Sequence, residues 1–357
     1  MATQQIDQAK AEAFGGEMVS LFNHAMLANM CSIGHQTGLF DTMSKLRPST
    51  SQQIADATGL NERYVREWLG AVVTGKIVEY DPSQSTYYLP PEHAAFVTRA
   101  AGPDNLAFLA CFLAQIGEVE QGIIECFRKG GGLSYDHYPR FQALQAELSA
   151  RVNDAALIKG VVPLVPGMVD KLTQGARVLD VGCGCGHAIN LMAQAFPNSQ
   201  FVGYDFSQEG IATARAEANA WELTNARFEV KDLSTLNDAS HYDLITAFDA
   251  IHDQAQPTEV LTRIARALKD DGVFLMVDIR ASSRLEENLD HPLGPTFYTI
   301  STVHCMTVSL ALNGEGLGTM WGEQLARQKL KETGFANVDV QQVVGDIMNN
   351  YYIAKKR

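Results

Sequence analysis

The spacing of apolar residues along the chain changes near residue 155. Before that point it follows a helical period, as where Met18, Leu21 and Phe22 recur at three- and four-residue intervals. After it, short apolar runs alternate with helical stretches, which is typical of strands and helices that alternate in a parallel sheet. The pattern therefore predicts a mainly helical domain at 1–155 and an α/β domain at 156–357.

Within the first domain, one compact stretch has the order helix, helix, strand, strand. The predicted segments are helices at 51–57 and 62–74 and strands at 77–80 and 86–89, with further helices at 106–127 and 141–152. Gly59 and Gly75 follow the two helices of the compact stretch, where glycine commonly ends a helix. The order is that of a winged helix.

Winged helices often bind DNA, but the charge of this one argues against that use. Residues 50–100 carry four basic and six acidic side chains, and an acidic surface repels phosphates. The second helix is rich in apolar residues, among them Trp68 and Leu69, so we expect it to pack rather than to enter a groove. The first domain is thus predicted to be a dimerisation and lid module.

The second domain reads as a doubly wound, mostly parallel seven-stranded sheet. Strands are predicted at 177–181, 200–204, 228–230, 242–248, 272–279, 338–344 and 351–355, and helices at 187–195, 208–220, 257–268 and 322–333. The last two strands are close together in the chain, so we expect them to form an antiparallel pair.

A glycine-rich loop directly follows the first of these strands. It reads Asp180-Val-Gly-Cys-Gly-Cys-Gly186, and its Gly182, Gly184 and Gly186 allow a tight turn and a close approach of a ligand to the backbone. The dinucleotide fingerprint needs a glycine where His187 stands, which disfavours a nicotinamide-dependent oxidoreductase.

Two more acids follow the next two strands. Asp205 ends one of them about 20 residues after the loop, where a carboxylate can bind ribose hydroxyls, and Phe206 beside it can face an adenine ring. Asp232 follows the third strand. All of these lie at the carboxyl ends of parallel strands, where such sheets bind ligands.

Together, the glycine loop, Asp205, Asp232 and the terminal strand pair resemble the class I S-adenosylmethionine (SAM) methyltransferases over about residues 160–357. The resemblance implies SAM as cofactor and S-adenosylhomocysteine as product. It implies that the glycine loop passes under the methionine part, that Asp205 holds the ribose, that Asp232 and Leu233 meet the adenine, and that Phe248 lies near the methionine amino group.

The first domain extends this resemblance to small-molecule O-methyltransferases, which are winged-helix homodimers. The segments 33–41 and 135–141 carry it, and the whole chain also resembles a bacterial group of winged-helix methyltransferases. By this resemblance His252, in a His-Asp pair, is the general base, and Asp278 is an acid that orients it. The plant motif continues with Trp, whereas Gln254 stands here.

A long excursion at 284–321 separates the fifth strand from the last helix. Its mainly apolar composition, with a few polar side chains, suits a substrate lid. His304 within it is a rival for the role of base. Tyr298, Trp321 and Glu323 are expected to line the substrate pocket, and Glu323 is also a candidate second acid beside His252.

The composition narrows the remaining choices. The chain has 357 residues with a formal net charge of −13, which disfavours general binding to nucleic acid. Its six cysteines indicate reduced thiols in the cytoplasm, and the start of the chain, 1–18, lacks the pattern of a secretory signal. No membrane span is predicted, and Cys183 and Cys185 lack the further ligands that a metal site would need.

These observations predict an enzyme that transfers a methyl group from SAM to a small, partly apolar acceptor. The nucleophile that we expect is a hydroxyl, and nitrogen, sulfur and carbon remain alternatives. The alternative is a winged-helix transcriptional regulator that binds SAM as a ligand. No metal is expected. We expect a homodimer that forms through the first domain.

Overall fold

The structure is a computed structural model that describes residues 6–356. Residues 1–5, part of the segment in which no secretory signal is expected, lie outside the described residues. The chain divides into two compact units, with the division between residues 117 and 118. The domain boundary predicted at 155/156 stays a prediction.

The first unit is mainly helical, with one small antiparallel hairpin. Its elements are α1 (Gln8–Gln36), α2 (Leu39–Met43), α3 (Ser51–Thr58), α4 (Glu62–Thr74), β1 (Glu79–Asp81), β2 (Thr86–Tyr88), α5 (Pro91–Val97) and α6 (Leu106–Leu109), and α7 (Cys111–Lys129) begins in it. The helix, helix, hairpin order of the predicted winged helix is present. Helix α5 was not predicted, and the single helix expected at 106–127 is divided at Ala110.

Local chemistry explains where the winged-helix elements begin. Thr50 and Gln53 form a reciprocal capping box at the start of α3, and the Asn61 side chain accepts a hydrogen bond from the backbone of Arg63 at the start of α4. Helix α4 turns its apolar face into the core of the unit, where Trp68 donates its indole N–H to the Met30 carbonyl over 2.8 Å.

The exposed cations of α4 are already paired on its own surface. Arg63 lies 2.5 Å from Glu67, and Arg66 lies 3.3 Å from Glu62. A helix that reads DNA needs cations directed at phosphates or bases. These pairs leave α4 with little charge for that purpose.

The second unit contains the large sheet and its covering helices. Its strands are β3 (Arg177–Val181), β4 (Gln200–Asp205), β5 (Ala226–Val230), β6 (Tyr242–Phe248), β7 (Leu268–Ile279), β8 (Asn337–Gln341) and β9 (Asn349–Lys355). Its helices are α8 (Phe141–Ala156), α9 (Met168–Gln174), α10 (His187–Ala195), α11 (Gln208–Ala220), α12 (Pro257–Ala267), α13 (Gly294–Ile300), α14 (Met306–Ala311) and α15 (Gly322–Glu332). Helix α9 was not predicted.

The seven strands lie in the order β5-β4-β3-β6-β7-β9-β8, and β9 alone runs opposite to the other six. The doubly wound, mostly parallel sheet and its antiparallel terminal pair are therefore confirmed. The strand order reverses between β3 and β6, which leaves a crevice at their carboxyl ends. One apolar core lies on each face of the sheet.

One stretch has the length and composition of a membrane-spanning helix. It is Leu106–Lys129, and a third of its most apolar window is buried. Two of its residues, Val119 and Ile123, pack in a buried cluster with Tyr138 and Val308. Core helices pass the same test, so this stretch is weak evidence for a membrane span.

A buried amide joins the ends of two elements in the second unit, and we predict that its role as a hydrogen-bond donor matters for stability. The Asn225 amide nitrogen donates to the carbonyls of Ala193, Phe196 and Ser199 over 3.1, 3.3 and 3.0 Å. The change Asn225→Asp replaces this donor with a carboxylate that faces three acceptors. We expect the free energy of unfolding to fall by about 2–3 kcal/mol, measured by urea denaturation.

The matched control is Asn198→Asp, because Asn198 is exposed and donates to one carbonyl, that of Thr173, over 2.9 Å. Water replaces that bond, so we expect a change of about 0.5 kcal/mol or less. Equal losses for the two variants would contradict the assignment of Asn225.

Candidate functional site

The glycine loop lies between β3 and α10, at the crevice where the strand order reverses. Gly182, Gly184 and Gly186 all have left-handed backbones, with φ of 72°, 53° and 72°. A Cβ on Gly182 would lie 2.5 Å from Ala250 and one on Gly186 would lie 2.5 Å from Ala214, whereas one on Gly184 would meet no atom within 4 Å. The outer glycines therefore pack against protein, and the middle one faces open space.

Asp205, at the end of β4, is tied to this loop. Its two carboxylate oxygens accept hydrogen bonds from the backbone N–H groups of Gly184 and Ser207, each over 2.8 Å. Burial raises the pKa of Asp205, and these donors oppose the rise. The carboxylate is thus fixed beside the open side of the loop.

Asp180 is a second buried acid of the site. It is buried at the end of β3 and accepts a hydrogen bond from the Thr246 hydroxyl on β6 over 2.7 Å. Burial raises its pKa to about 7, because the Thr246 bond only partly offsets the loss of water and the charge of Asp205 adds to the rise. Its side chain joins the two strands that flank the crevice.

The predicted adenine-side residues lie farther along the same edge. Asp232 is exposed and caps a one-turn helix by accepting from the Ser234 backbone over 2.8 Å, while Leu233 is buried. Phe206 is 51% exposed, and its ring centre lies 4.9 Å from that of Tyr135. Phe248 ends β6, next to the crevice.

His252 and Asp278 form a buried pair across the crevice from the loop. The Nδ1 atom of His252 lies 2.8 Å from Oδ1 of Asp278. That same oxygen accepts from the indole N–H of Trp321 over 3.0 Å and from the backbone of Ile279 over 2.8 Å. Three donors therefore fix the carboxylate, and the carboxylate fixes the imidazole with Nε2 directed away from it.

The charges around His252 favour its protonated form. Burial alone lowers the pKa of His252, but the carboxylates of Asp278 and Asp253 outweigh burial and raise that pKa well above its ordinary value. Asp253 Oδ1 lies 3.4 Å from Nε2 of His252. A positive charge brought near the imidazole would oppose this rise.

His304, the rival base, lies in an aromatic box instead. Its ring stacks on Phe141 at 3.7 Å, with Tyr135 and Tyr138 edge-on at 5.5 and 4.8 Å. Burial lowers the pKa of His304 to about 4. Its Nε2 is buried and has no hydrogen-bond partner among residues 6–356. The neutral imidazole of His304 thus carries an unpartnered Nε2 in apolar surroundings.

The three predicted pocket residues occupy different environments. Trp321 is buried on Asp278, as described above. Tyr298 is 37% exposed, and its hydroxyl accepts a hydrogen bond from Asn288 over 3.3 Å. Glu323 pairs with Arg327 at 2.7 Å and accepts from Asn350 at 3.4 Å, so its described contacts do not include His252.

Sequence reasoning missed Asp249, which directly follows β6. It is a non-glycine residue with φ of 51°, and its Oδ1 is buried with no hydrogen-bond partner in the described part of the chain. Burial raises its pKa to about 7, with Asp278 adding to the rise and His252 opposing it. An acid at a strand end beside Phe248 was the available signal.

Sequence reasoning also did not assign Tyr135, Asp253 and Cys305 to the site. The Tyr135 hydroxyl donates to Asp253 Oδ2 over 3.2 Å, and Cys305 is buried beside His252. They come from distant parts of the chain, so spacing could not reveal that they meet.

An open cavity of about 580 Å³ lies nearby, at the start of α12. Its lining includes Ser234, Gln256 and Glu315. It contains none of the predicted pocket residues, so we place the chemistry at the buried pair of His252 and Asp278 rather than in this cavity.

Comparison with known families accounts for both parts of the chain. Residues 25–99 match the profile of the Rv2258c-like winged HTH domain, and residues 172–306 match that of a methyltransferase domain. The chain thus carries a winged helix-turn-helix domain followed by a methyltransferase domain, which confirms the resemblance recognised in the sequence.

Curated relatives match the second part. A trans-aconitate 2-methyltransferase of Variovorax paradoxus is 36% identical over 104 residues, 29% of this chain and 38% of the relative. A fatty-acid O-methyltransferase of Mycolicibacterium smegmatis is 30% identical over 107 residues, 30% of this chain and 38% of the relative. The chain spans less than half of the length of these relatives.

Solved structures match over nearly the whole chain. Human N-acetylserotonin methyltransferase in complex with SAM has a TM-score of 0.69 at 14% identity and covers 100% of both chains. Mitomycin 7-O-methyltransferase has a TM-score of 0.66 at 17% identity and covers 97% of this chain and 99% of its own. At such identities the likeness shows the fold, the class I methyltransferase fold.

The glycine loop generates a stability prediction. The change Gly186→Ala adds a methyl group that overlaps Ala214 and Phe228 and also strains a left-handed backbone, so we expect a loss of about 3 kcal/mol of unfolding free energy. Gly184→Ala strains the backbone alone, and we expect a loss of about 1 kcal/mol. Urea denaturation of the two variants checks this, and an equal loss would show that the space above Gly184 is filled.

Proposed function

We propose that this chain, with its winged-helix and methyltransferase domains, is a SAM-dependent methyltransferase that acts on a small, partly apolar acceptor. The acceptor atom that we propose is a hydroxyl oxygen, and the general base is His252. The observation that carries the proposal is the buried pair of His252 and Asp278, held at the crevice that the glycine loop flanks.

The residues at the crevice suit SAM. The open side of Gly184 leaves room for a ligand against bare backbone, and Asp205 offers carboxylate oxygens to a ribose beside it. Asp232 and Leu233 suit the adenine. The buried, unpartnered oxygen of Asp249 suits a cation, and SAM carries both an ammonium and a sulfonium.

SAM supplies an activated methyl group, and the protein must hold the nucleophile in line and remove its proton. Asp278 accepts the Nδ1 proton of His252 and so leaves Nε2 as the basic atom. A positive charge near the imidazole lowers its pKa. We therefore infer that His252 would lose its Nε2 proton more readily with the cationic cofactor bound than in the free protein.

We propose that the acceptor binds on the side of the His252–Asp278 pair that lies away from the proposed SAM position. The neutral Nε2 of His304 can accept or donate one hydrogen bond to the acceptor. We assign Trp321 to positioning Asp278 rather than to contact with the acceptor, since its N–H is already used. Tyr298, which is partly exposed, suits the entrance.

We also propose that the enzyme works in the cytoplasm as a homodimer. All six cysteines are free thiols, which fits a reducing compartment. The first half of α1 exposes an apolar face formed by Phe14, Met18, Leu21 and Phe22. Exposed faces of this kind mark protein interfaces.

The function is tested by calorimetric titration with SAM, S-adenosylhomocysteine and NAD, followed by a screen of acceptors for release of S-adenosylhomocysteine. We expect both adenosyl compounds to bind and NAD not to bind. Gly184→Ala is expected to weaken SAM binding at least tenfold. Binding without turnover on any acceptor would favour the regulator instead.

The base generates a prediction about rate and pH. His252→Ala is expected to lower kcat by about 10²–10⁴-fold with SAM affinity kept. The neutral imidazole is the active form, so the rate should rise with pH. Asp253→Asn removes a negative charge that raises the pKa of His252, and should move this rise to lower pH.

The matched control for the pH profile is Asp339→Asn, an exposed carboxylate on the edge strand β8. Its profile should coincide with that of the unaltered protein. Full turnover in His252→Ala, or a profile of Asp253→Asn that does not move, would show that His252 is not the base.

The homodimer generates a separate prediction. Replacing Leu21 and Phe22 with glutamate places charges on the apolar face of α1, so the chain is expected to become a monomer in light scattering. The control Asn23→Glu lies on the opposite face of the helix and should leave the mass unchanged. A monomer before any substitution would contradict the proposal.

A further inference from the structure

Three metal-ligating side chains from two distant segments meet beside the crevice. They are His252 and Asp253, which follow β6, and Cys305, at the end of a π-helical turn before α14. One ligand atom of each lies within 4.8 Å of the other two, and this is the one such group found among residues 6–356. Spacing in the sequence predicts no metal here, because about 50 residues separate the thiol from the His-Asp pair.

The imidazole is oriented as in a metal site. Histidines that bind metals usually donate their second ring N–H to a carboxylate, which fixes the ring and makes the free nitrogen more basic. His252 does this with Asp278 at 2.8 Å, and Trp321 in turn holds Asp278. The nitrogen left for a ligand is Nε2.

The two oxygens of the Asp253 carboxylate also have different surroundings. Asp253 accepts the Tyr135 hydroxyl on Oδ2 over 3.2 Å. Its other oxygen, Oδ1, is buried and has no hydrogen-bond partner among the described residues, although it lies 3.4 Å from Nε2 of His252. In the protonated form of His252 the Nε2–H faces this oxygen, and a metal ion would take the place of that proton between the two ligand atoms.

The thiol completes the set. Cys305 is 7% exposed, and its sulfur lies 3.7 Å from Nδ1 of His304. The π-helical turn Ser301–Cys305 directs both side chains inward, and such turns are frequent at functional sites. His252 and Asp253 are thus each held by a second residue through the atom that the metal does not need.

The distances suit a small tetrahedral ion. Zinc bonds of about 2.0–2.3 Å imply ligand atoms about 3.5 Å apart. The separation of 3.4 Å between His252 and Asp253 already meets this, and the others, within 4.8 Å, need a contraction of about 1 Å by side-chain rotation. One thiolate, one imidazole and one carboxylate favour zinc over magnesium.

We propose that His252, Asp253 and Cys305 form a Zn²⁺ site with an open fourth position. On binding, three coordinate bonds form, while the S–H bond of Cys305 and the Nε2–H bond of the protonated His252 break and both protons leave to solvent. The metal takes the lone pair of Nε2, so a bound ion blocks the basic atom of the site. The binding itself does not depend on the proposed methyl transfer.

The test is titration of the purified apo protein with Co²⁺, which replaces Zn²⁺ and is visible. We expect one ion per chain, a thiolate-to-cobalt charge-transfer band in the near ultraviolet and intense visible bands of tetrahedral cobalt. Zn²⁺ should bleach these bands at one equivalent, and excess Mg²⁺ should not. Neither SAM nor an acceptor is present, so failure of the methyltransferase proposal would not affect the outcome.

Variants locate the site. Cys305→Ser should remove the charge-transfer band and weaken Co²⁺ binding at least tenfold, and Asp253→Asn should weaken binding while keeping the band. The control Cys126→Ser, a thiol outside the cluster, should change neither. Circular dichroism confirms that each variant is folded.

Two results would overturn the proposal. One is the absence of a charge-transfer band in the unaltered protein. The other is a band that survives in Cys305→Ser and disappears in Cys183→Ser, which would place the ion on the thiols of the glycine loop.

Discussion

Unbalanced negative charge at the carboxyl edge of the parallel sheet is the constraint around which the second unit is arranged. Asp180, Asp249 and Asp278 end or follow three neighbouring strands, and each is held away from water. The pKa values of Asp180 and Asp249 rise to about 7, and that of His252 rises as well. Burial is the main obstacle to ionisation of these carboxylates and their mutual repulsion adds to it, while the carboxylates around the imidazole favour its protonated form, so a cation would be stabilised at this edge.

Two cations are proposed for this edge, and they affect His252 in different ways. The sulfonium and ammonium of SAM would act at a distance and lower the pKa of the imidazole, so that the base becomes active only when its cofactor is bound. A zinc ion would bind Nε2 directly and remove its basicity. The same excess of negative charge would therefore attract SAM, which makes Nε2 of His252 available as a base, and zinc, which blocks it.

Left-handed backbone conformations also occur at this edge of the sheet. Gly182, Gly184 and Gly186 are left-handed at the end of β3, and Asp249 adopts the same region at the end of β6 without being a glycine. A conformation that costs a non-glycine residue about 1–2 kcal/mol persists where the surroundings enforce it, and such residues cluster at functional sites. In the segment 284–321, the predicted lid, the π-helical turn Ser301–Cys305 directs His304 and Cys305 inward.

The sequence by itself determined the local and periodic features: the winged-helix order, the alternation of strands and helices, the glycine loop, and the pairing of His252 with Asp278, which strand-end positions anticipate. Those features depend on neighbours in the chain or on the rule that parallel strands end at one edge. Only the tertiary structure decided that Tyr135, Asp253 and Cys305 meet, that Glu323 contacts Arg327, and that His304 is enclosed by aromatic rings. These contacts join segments separated by tens of residues or more, and their geometry arises from packing, which leaves no period in the sequence.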